Sequence, residues 1–290
     1  MVLVKLLVTG SSGFIGAHAV RNLAARGYDV QGVDLQADRR SDRIDIADPT
    51  AVDRLFHRYR PDGVVHLAAM ATVPGCELDP AGCLRANVLA TVNIARAAGA
   101  HRARLVFASS AAVYGDLAPV PTPVATVAQP TNLYGISKLA GEGVVREYAP
   151  DSTCLRFFNV YGEGCRRSYV IPDLIRRLAA RPRALEMSGT GKEARDFVYI
   201  ADVISAIEAG VRGRFRGTYN VGTGIRTSLA TLAREIARLM GQPTVPLRFT
   251  GTRPGDFRVN HADIRGRNRV PGWSPRTTLT AGLARTVAAG

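Results

Sequence analysis

The chain has 290 residues, of which 46% are hydrophobic and 21% charged, a balance typical of folded globular proteins rather than disordered ones. No stretch approaches the roughly 20 apolar residues of a membrane span, which excludes a helical membrane protein. Its net charge is +14, and only three of its 38 basic residues are lysine, at positions 5, 138 and 192.

Five short apolar runs predict strands over 2–9, 29–34, 63–68, 104–109 and 153–158. Between them, helical patterns lie near 14–26, 49–59, 79–99 and 134–148. The first run leads directly into a glycine turn, so we interpret it as a buried strand rather than a signal segment and expect a cytoplasmic location. Alternation of strands and helices favours right-handed βαβ units, and therefore an α/β fold with a doubly wound parallel sheet.

After about residue 160 the pattern changes. Helices are predicted near 172–180, 200–212 and 227–240, separated by turns rich in glycine and proline, and 117–130 is predicted to be an extended surface loop. We therefore predict a first domain over 1–160 and a smaller, partly interleaved substrate-binding lobe over 161–290, with room for segments that return to the first domain.

The positive charge is concentrated in that second part. Residues 1–150 carry 15 basic and 13 acidic side chains, whereas residues 151–290 carry 23 and 11. Such an excess attracts anionic partners. The sequence lacks a Lys/Arg block and an aromatic-interleaved RNA motif, so a small phosphorylated ligand is favoured and neither a nucleic acid nor a membrane is expected as a partner.

The four cysteines lie at positions 76, 83, 154 and 165 and form no C-x-x-C pair. No histidine lies at zinc-finger spacing from them. We therefore predict reduced, structural thiols and no metal site.

The segment T-G-S-S-G-F-I-G follows the first predicted strand and opens a helix. It places Gly10, Gly13 and Gly16 in a G-x-x-G-x-x-G pattern, with Phe14 and Ile15 at the helix start. Glycines there let the backbone approach a pyrophosphate, which lies at the positive end of the helix. A glycine turn alone is common, but the order strand, glycines and helix indicates a Rossmann-type dinucleotide site.

An acidic residue follows that site at a suitable distance. Asp34 ends the second predicted strand, 18 residues after Gly16. A carboxylate at this point accepts hydrogen bonds from the adenosine ribose and repels a 2′-phosphate, which favours NAD over NADP. Arg39 and Arg40 follow closely, and they keep NADP open as the alternative.

Tyr134 and Lys138 lie four residues apart at the start of a predicted helix, so they share one face. A nearby ammonium favours the phenolate, so we expect the pKa of Tyr134 to be lowered and the residue to act as a general acid or base. The alternative is a tyrosine at the edge of the core beside a solvated lysine. Ser110, at the carboxyl end of the fourth predicted strand, lies where ligands bind in parallel sheets and favours the catalytic interpretation.

A series of ordered motifs along nearly the whole chain resembles the extended short-chain dehydrogenase/reductase family, in particular its NAD-dependent nucleotide-sugar 4-epimerases. The motifs are G-S-S-G-F-I-G (10–16), V-D-L (33–35), D-I (45–46), H-L-A-A (66–69), N-V-L-A-T-V-N (87–93), S-S-A-A-V-Y-G (109–115), Y-G-I-S-K (134–138), R-F-F-N-V-Y-G (156–162), R-D-F-V-Y-I-A-D-V (195–203), Y-N-V-G-T-G (219–224) and R-P-G-D (253–256).

This resemblance implies a role for each matching position. Ser110 and Tyr134 would contact the reacting sugar hydroxyl, while Lys138 holds the nicotinamide ribose. The resemblance also implies a cofactor-lining set, namely Asp45, Ile46, Leu67, Ala68, Ala69, Asn87 and Phe158. It implies a substrate-binding set as well, namely Asn159, Arg195, Arg253 and Asp256. The family also implies a homodimer formed through a helix bundle.

Departures from the family pattern bear on the subtype. Related dehydratases carry Asp-Glu, and related decarboxylases a glutamate, where this chain has Ala111 and Ala112. Neither alanine can move a proton, which favours hydride and proton transfer over elimination. The segment over 163–170 is compressed, and its Arg166 and Arg167 face either a substrate carboxylate or solvent. Asn260, at the position that gates a 2-acetamido group in the family, does not exclude acetylated sugars.

We therefore hypothesise an NAD-dependent 4-epimerase acting on a nucleotide sugar, with a UDP-hexose as the expected substrate. The alternatives within the family are a nucleotide-sugar 4-ketoreductase and a dehydratase. The alternative of another class is a non-catalytic Rossmann-type protein that senses nucleotides. The Tyr134–Lys138 pair argues against this last alternative.

Overall fold

A computed structural model of the chain describes residues 4–39, 42–165, 169–251 and 259–289. The first half contains β1 (Lys5–Thr9), α1 (Phe14–Ala25), β2 (Asp29–Val33), α2 (Pro49–Tyr59), β3 (Gly63–His66), α3 (Val73–Leu78), α4 (Pro80–Leu84), a π-helical turn (Arg85–Leu89), α5 (Ala90–Ala100), β4 (Arg104–Ser110), a 3₁₀ turn (Ala111–Tyr114), α6 (Leu133–Tyr148) and β5 (Ser152–Phe157). All five predicted strands are thus confirmed.

The second half is built from shorter pieces. It contains β6 (Asn159–Tyr161), α7 (Val170–Ala179), β7 (Leu185–Met187), β8 (Ala194–Arg195), β9 (Phe197–Tyr199), α8 (Ile200–Arg212), β10 (Gly217–Val221), β11 (Thr227–Ser228), α9 (Leu229–Leu239), β12 (Leu247–Phe249), a 3₁₀ turn (Gly266–Asn268) and α10 (Leu279–Ala288). The three predicted helices of this half correspond to α7, α8 and α9. The last begins two residues later than predicted because Thr227 and Ser228 pair with β8 instead.

Six strands form one parallel sheet in the order β10-β5-β4-β3-β1-β2. The strands are apolar because helices cover both faces, and Leu6, Leu7 and Val8 have no exposed surface. The parallel pairing brings the carboxyl ends of all six strands to one edge. The α/β, doubly wound fold predicted from the sequence is confirmed.

One strand of this sheet comes from the second half of the chain. β10 pairs in parallel with β5, matching Val221 with Phe157. Gly210 of α8 lies so close to β4 that an added Cβ would be 3.1 Å from the Val106 side chain. The division into residues 1–160 and 161–290 stays a prediction, and the return of β10 shows how closely the two parts interleave.

The helix predicted over 79–99 is divided by the π-helical turn. Ala90 N–H donates to the carbonyl of Arg85, an i→i+5 bond that inserts one extra residue. Asn87, inside this turn, is buried and uses its side chain to bond Met70 and Ser137. Such turns are frequent at functional sites, where tertiary contacts compete with regular helical register.

The prediction of reduced thiols is wrong for two cysteines. Asp79 ends α3 and caps α4, and this reversal brings the Cα atoms of Cys76 and Cys83 to 5.0 Å, where they form a disulfide. Their separation of seven residues gives no C-x-x-C signal. Cys154 is a buried thiol, and burial raises its pKa.

None of the helices in the described ranges is long and apolar enough to cross a bilayer. In the same ranges, no group of three or more histidine, cysteine, aspartate or glutamate side chains is arranged to hold a metal ion.

Candidate active site

The glycine loop between β1 and α1 has the shape a dinucleotide requires. Gly10 has φ +74°, and a Cβ there would lie 2.7 Å from the backbone nitrogen of Ala68. A Cβ on Gly16 would collide with the carbonyl of Gly10. Gly13 begins the helix with no side-chain cap, so the N–H groups near Phe14 and Ile15 keep the positive end of α1 available to a phosphate.

Asp34 lies beside this loop. Its carboxylate accepts hydrogen bonds from Ser12 N–H at 3.0 Å and Gln36 N–H at 2.9 Å. A carboxylate has about four acceptor positions, so two remain for ribose hydroxyls. The loop, the uncapped helix end and this acid together fit NAD, as the sequence predicted. Arg39 lies within the described residues, whereas Arg40 lies outside them.

Asp45 and Ile46 lie in the segment between β2 and α2. Arg85 forms an ion pair with Asp45 at 2.7 Å, and this hydrogen bond holds the pKa of Asp45 below its usual range. The carbonyl of Ile46 accepts from the Asn93 amide at 3.0 Å. Both residues are thus held by side-chain hydrogen bonds, their contact with adenine stays a prediction, and Arg85 is a partner that sequence reasoning missed.

Leu67, Ala68 and Ala69 follow β3 and pass directly over the glycine loop. Ala68 N–H donates to Thr9 Oγ1 at 3.3 Å, which holds this segment against the end of β1. Asn87 lies beneath it and is 1% exposed. Leu67 and Ala68 thus lie against the glycine loop, whereas the side chain of Asn87 hydrogen-bonds Met70 and Ser137.

Tyr134 and Lys138 lie in the first turns of α6. Asn132 caps this helix by accepting from Gly135 N–H at 2.9 Å, and Glu77 accepts from Leu133 N–H at 3.0 Å. Ser110 lies close enough to the Tyr134 hydroxyl to lower the pKa of that phenol, so the structure brings the two predicted catalytic residues together. Two caps therefore fix the turn that carries the tyrosine.

The pKa of Tyr134 is shifted opposite to the sequence-based expectation. Burial raises it to about 12, and the side chain of Ser110 offsets only part of this effect. Although the residue keeps some surface exposed, its surroundings are dense enough for desolvation to win. In the chain alone Tyr134 is therefore a neutral phenol, and the predicted lowering by Lys138 is wrong for this state.

Lys138 is almost fully buried. Its Nζ donates to the carbonyl of Ala108 at 2.9 Å and lies 5.2 Å from the centre of the Phe107 ring. Burial lowers its pKa to about 8. In the described part of the chain no carboxylate lies within ion-pairing distance of this amine, so the protons not donated to Ala108 are available for a ligand.

Ser110 ends β4 and caps the 3₁₀ turn, accepting from Ala112 N–H at 3.2 Å. Ala111 and Ala112 lie in this turn, so the positions that carry acids in dehydratases are occupied by methyl groups. The structure therefore places a hydroxyl pair, Ser110 and Tyr134, without a carboxylate from this turn.

The predicted substrate residues divide into two groups. Asn159 lies at the start of β6, where its amide donates to the carbonyl of Asp196 at 3.1 Å, and Arg195 lies next to that residue in β8. Phe158 is buried against the 3₁₀ turn, with its ring centre 6.5 Å from that of Tyr114. Arg253 and Asp256 lie outside the described residues, as do Arg166 and Arg167.

Two buried charged groups support these residues and were not singled out from the sequence. Glu142, two turns after Tyr134, pairs with Arg156 of β5 through bonds of 2.7 and 2.8 Å. Asp196 has no exposed surface and accepts from Thr223 N–H at 2.7 Å and Gly224 N–H at 2.8 Å. Arg156 and Asp196 lie inside quoted motifs, whereas Glu142 lies outside them, and the sequence gives no signal for their partners because these are distant along the chain.

Known proteins are similar to this chain over nearly its whole length. The model of the NAD dependent epimerase/dehydratase family matches residues 6–222. UDP-glucose 4-epimerase of Mycolicibacterium smegmatis is 32% identical, covering 98% of this chain and 97% of that protein.

Solved structures agree with this similarity. UDP-glucose 4-epimerase of Thermotoga maritima with UDP-glucose has a TM-score of 0.89 at 28% identity, covering 98% of each chain. MoeE5 in complex with UDP-glucuronic acid and NAD has a TM-score of 0.87 at 34% identity, again covering 98% of each chain. With the glycine loop, Asp34 and the Ser110–Tyr134 pair in place, this chain belongs to the NAD dependent epimerase/dehydratase family.

Proposed function

We propose that this protein is an NAD-dependent nucleotide-sugar 4-epimerase that acts on a UDP-hexose. The observation that carries the proposal is the Ser110–Tyr134 hydroxyl pair, with a buried Lys138 one turn further along α6 and alanines at 111 and 112. This set can move one proton at a sugar hydroxyl, and it offers no acid in the 3₁₀ turn for elimination of water.

Tyr134 removes the proton from the sugar O4 hydroxyl and later returns it. Ser110 lies beside the phenol and lowers its pKa, which stabilises the phenolate that this step forms. Lys138, held by the Ala108 carbonyl, donates its remaining protons towards the cofactor ribose and supplies positive charge near the phenolate.

When bound, NAD would supply the hydride acceptor and donor that oxidation and reduction at the sugar C4 require. The glycine loop would hold its pyrophosphate through backbone N–H groups, and Asp34 would accept from its ribose hydroxyls. Because the redox change is reversed within each turnover, no external oxidant is consumed.

We propose that Asn159, Arg195, Arg253 and Asp256 bind the nucleotide and its pyrophosphate. A guanidinium matches phosphate oxygens in a bidentate manner, which suits Arg195 and Arg253. The net charge of the second half supports an anionic ligand there. This anchor must persist while the sugar turns over, because release of the 4-keto intermediate would end the reaction as an oxidation.

The absence of an acid at 111 and 112 argues against a dehydratase. Glu77 is a carboxylate that the structure places at the start of α6, and there it accepts from Leu133 N–H as a helix cap. A dehydratase would need a separate proton donor aimed at the sugar C6 hydroxyl.

Incubation of the purified protein with UDP-glucose, UDP-GlcNAc and UDP-glucuronate, without added cofactor, tests the proposal. We expect the 4-epimer of at least one sugar and no net NADH. If no epimer forms from any of them, while a nucleotide-linked 4-keto sugar is reduced with external NADH or NADPH, the protein is a ketoreductase and the proposal is wrong.

We further propose a cytoplasmic homodimer formed through the surface around α6. Large apolar side chains are exposed on elements that pack on α6, namely Leu78, Leu84 and Leu89, and Ile136 is exposed on α6 itself. Exposed apolar groups of this kind favour burial against a second copy. Light scattering at micromolar concentration checks the mass, and a monomer would contradict this part of the proposal.

A further inference from the structure

His66 connects two parts of the active site that are far apart in sequence. It ends β3 and is 1% exposed. Its Nδ1 lies 2.7 Å from the Thr9 hydroxyl, at the end of β1, and its Nε2 lies 3.0 Å from the Thr91 hydroxyl, in α5. Both ring nitrogens are therefore occupied by hydroxyl groups, which can donate or accept.

The surrounding bonds fix the direction of each of these contacts. The Thr91 hydroxyl lies 2.7 Å from the carbonyl oxygen of Asn87, which only accepts, so Thr91 donates there. A hydroxyl has one proton, so Thr91 must accept from His66 Nε2–H. The neutral ring then accepts at Nδ1 from the Thr9 hydroxyl, which in turn accepts from Ala68 N–H at 3.3 Å.

The surroundings of His66 favour a neutral imidazole ring. Burial, with a smaller contribution from the charge of Lys138, lowers the pKa of His66 to about 3. The described groups around the ring are the two threonine hydroxyls, the Phe107 ring at 5.7 Å and that ammonium. A second proton would reverse the Thr9 bond and bring two positive charges together.

The chain of bonds continues from Asn87 to the catalytic helix. The Asn87 side chain accepts from Met70 N–H at 2.7 Å and donates to Ser137 Oγ at 2.9 Å. Ser137 Oγ donates to the carbonyl of Tyr134 at 2.8 Å. The buried series therefore runs from the residue before Gly10 to the turn that carries Tyr134.

We propose that His66, held as the Nε2–H tautomer, is a positioning residue that sets the spacing between the cofactor-binding glycine loop and the catalytic turn of α6. It touches neither reacting atoms nor substrate and acts through Thr9, Thr91 and Asn87. The expected effect of His66 on catalysis depends on the proposed epimerase function, whereas the expected tautomer of its ring does not.

The first test deletes one hydroxyl and uses a matched control. Thr286 of α10 is also buried and donates to the carbonyl four residues earlier, Gly282, at 2.8 Å, but it lies outside the series. Thr286→Val removes one donated bond, whereas Thr91→Val also leaves His66 Nε2–H without its acceptor, so Thr91→Val should lose more stability than the control. Only Thr91→Val should lower kcat, by about tenfold, with KM for the sugar nearly unchanged. Equal kcat in the two variants would overturn the proposal.

The second test reads the tautomer in the unmodified protein. In ¹⁵N-histidine-labelled protein, with His66→Gln used for assignment, Nε2 should be protonated and Nδ1 unprotonated from about pH 5 to 9. A proton on Nδ1, or titration within that range, would overturn the proposal whether or not the enzyme is active. His66→Gln, which keeps a donor for Thr91, should retain more kcat than His66→Phe; equal loss in both would contradict the role of this bond.

Discussion

In the first half of the chain, strands β1, β3, β4 and β5 bury nearly every side chain between two layers of helices, whereas β8 and β11 in the second half are only two residues long. The first half is therefore stabilised mainly by apolar area removed from water. In the second half one buried carboxylate, Asp196, joins the loop at 223–224 to Ala262. These hydrogen bonds add to an apolar core that the second half also has, which includes Leu174, Val203 and Ile236.

This difference corresponds to the role that the proposed function assigns to each half of the chain. In the proposed function, Tyr134, Lys138 and Ser110 need fixed positions for proton transfer, and they lie on α6 and β4, which pack on each other. The same proposal requires the second half to accept a sugar in two orientations. We expect its short strands and loops to adapt more readily than the six-stranded sheet.

Removal of the Tyr134 hydroxyl should have the largest effect and should leave both halves intact. Tyr134→Phe keeps the ring, so folding and NAD binding should persist while kcat falls by about 10²–10⁴, the usual contribution of a general acid or base. Turnover of the nucleotide sugar and retention of bound NAD are the measurements. The control is Tyr148→Phe, which deletes an exposed hydroxyl at the other end of α6. Equal activity in the two variants would show that Tyr134 is not the base.

Loss of the Glu142 carboxylate should destabilise the whole first half. Glu142→Ala leaves the buried guanidinium of Arg156 without its partner, and we expect a loss of about 3–5 kcal/mol in the free energy of unfolding. Glu235→Ala removes the partner of Arg238 on the surface of α9, where we expect about 0.2–1 kcal/mol. Denaturant titrations of both variants measure the contrast, and similar losses would mean that the buried pair has no special role.

The sheet could be predicted from the sequence because its signals are local. A buried parallel strand is a continuous apolar run, and Gly10, Gly13, Gly16 and Asp34 follow such runs at fixed distances. Tyr134 and Lys138 were likewise indicated by their spacing on one helix.

What escaped prediction depends on distant contacts. The pKa of Tyr134 is raised because of burial, which no spacing of residues reveals. Strands of two residues have no periodicity, so β8 and β11 left no signal. The Cys76–Cys83 disulfide depends on a chain reversal at Asp79, and Asp196 acquires its role from groups 27 to 66 residues away.

Neutralising Asp196 should loosen only the second half. In Asp196→Asn one oxygen becomes an NH₂ group that faces N–H donors, so buried donors at Thr223, Gly224 or Ala262 lose their acceptor. The expected cost is about 1–3 kcal/mol, expressed as faster amide exchange at these positions. Exchange in β1, β3 and β4 should stay unchanged. Faster exchange in those strands as well would show that the two halves unfold as one unit.

The buried lysine should have the smallest effect, which is a change in the free energy of unfolding with pH. The pKa of Lys138 is about 8 in the folded chain against 10.5 for an ordinary lysine, so between these values the unfolded chain binds more protons. Stability should therefore rise with pH across that window by about 1 kcal/mol per unit from this group. Lys138→Met removes the contribution, whereas Lys192→Met, which alters an exposed lysine, should keep it. Denaturant titrations at pH 8, 9 and 10 compare the free energy of unfolding of the two variants. If it changes with pH equally in both, the amine of Lys138 stays protonated in the folded chain beside the Ala108 carbonyl, and the prediction is wrong.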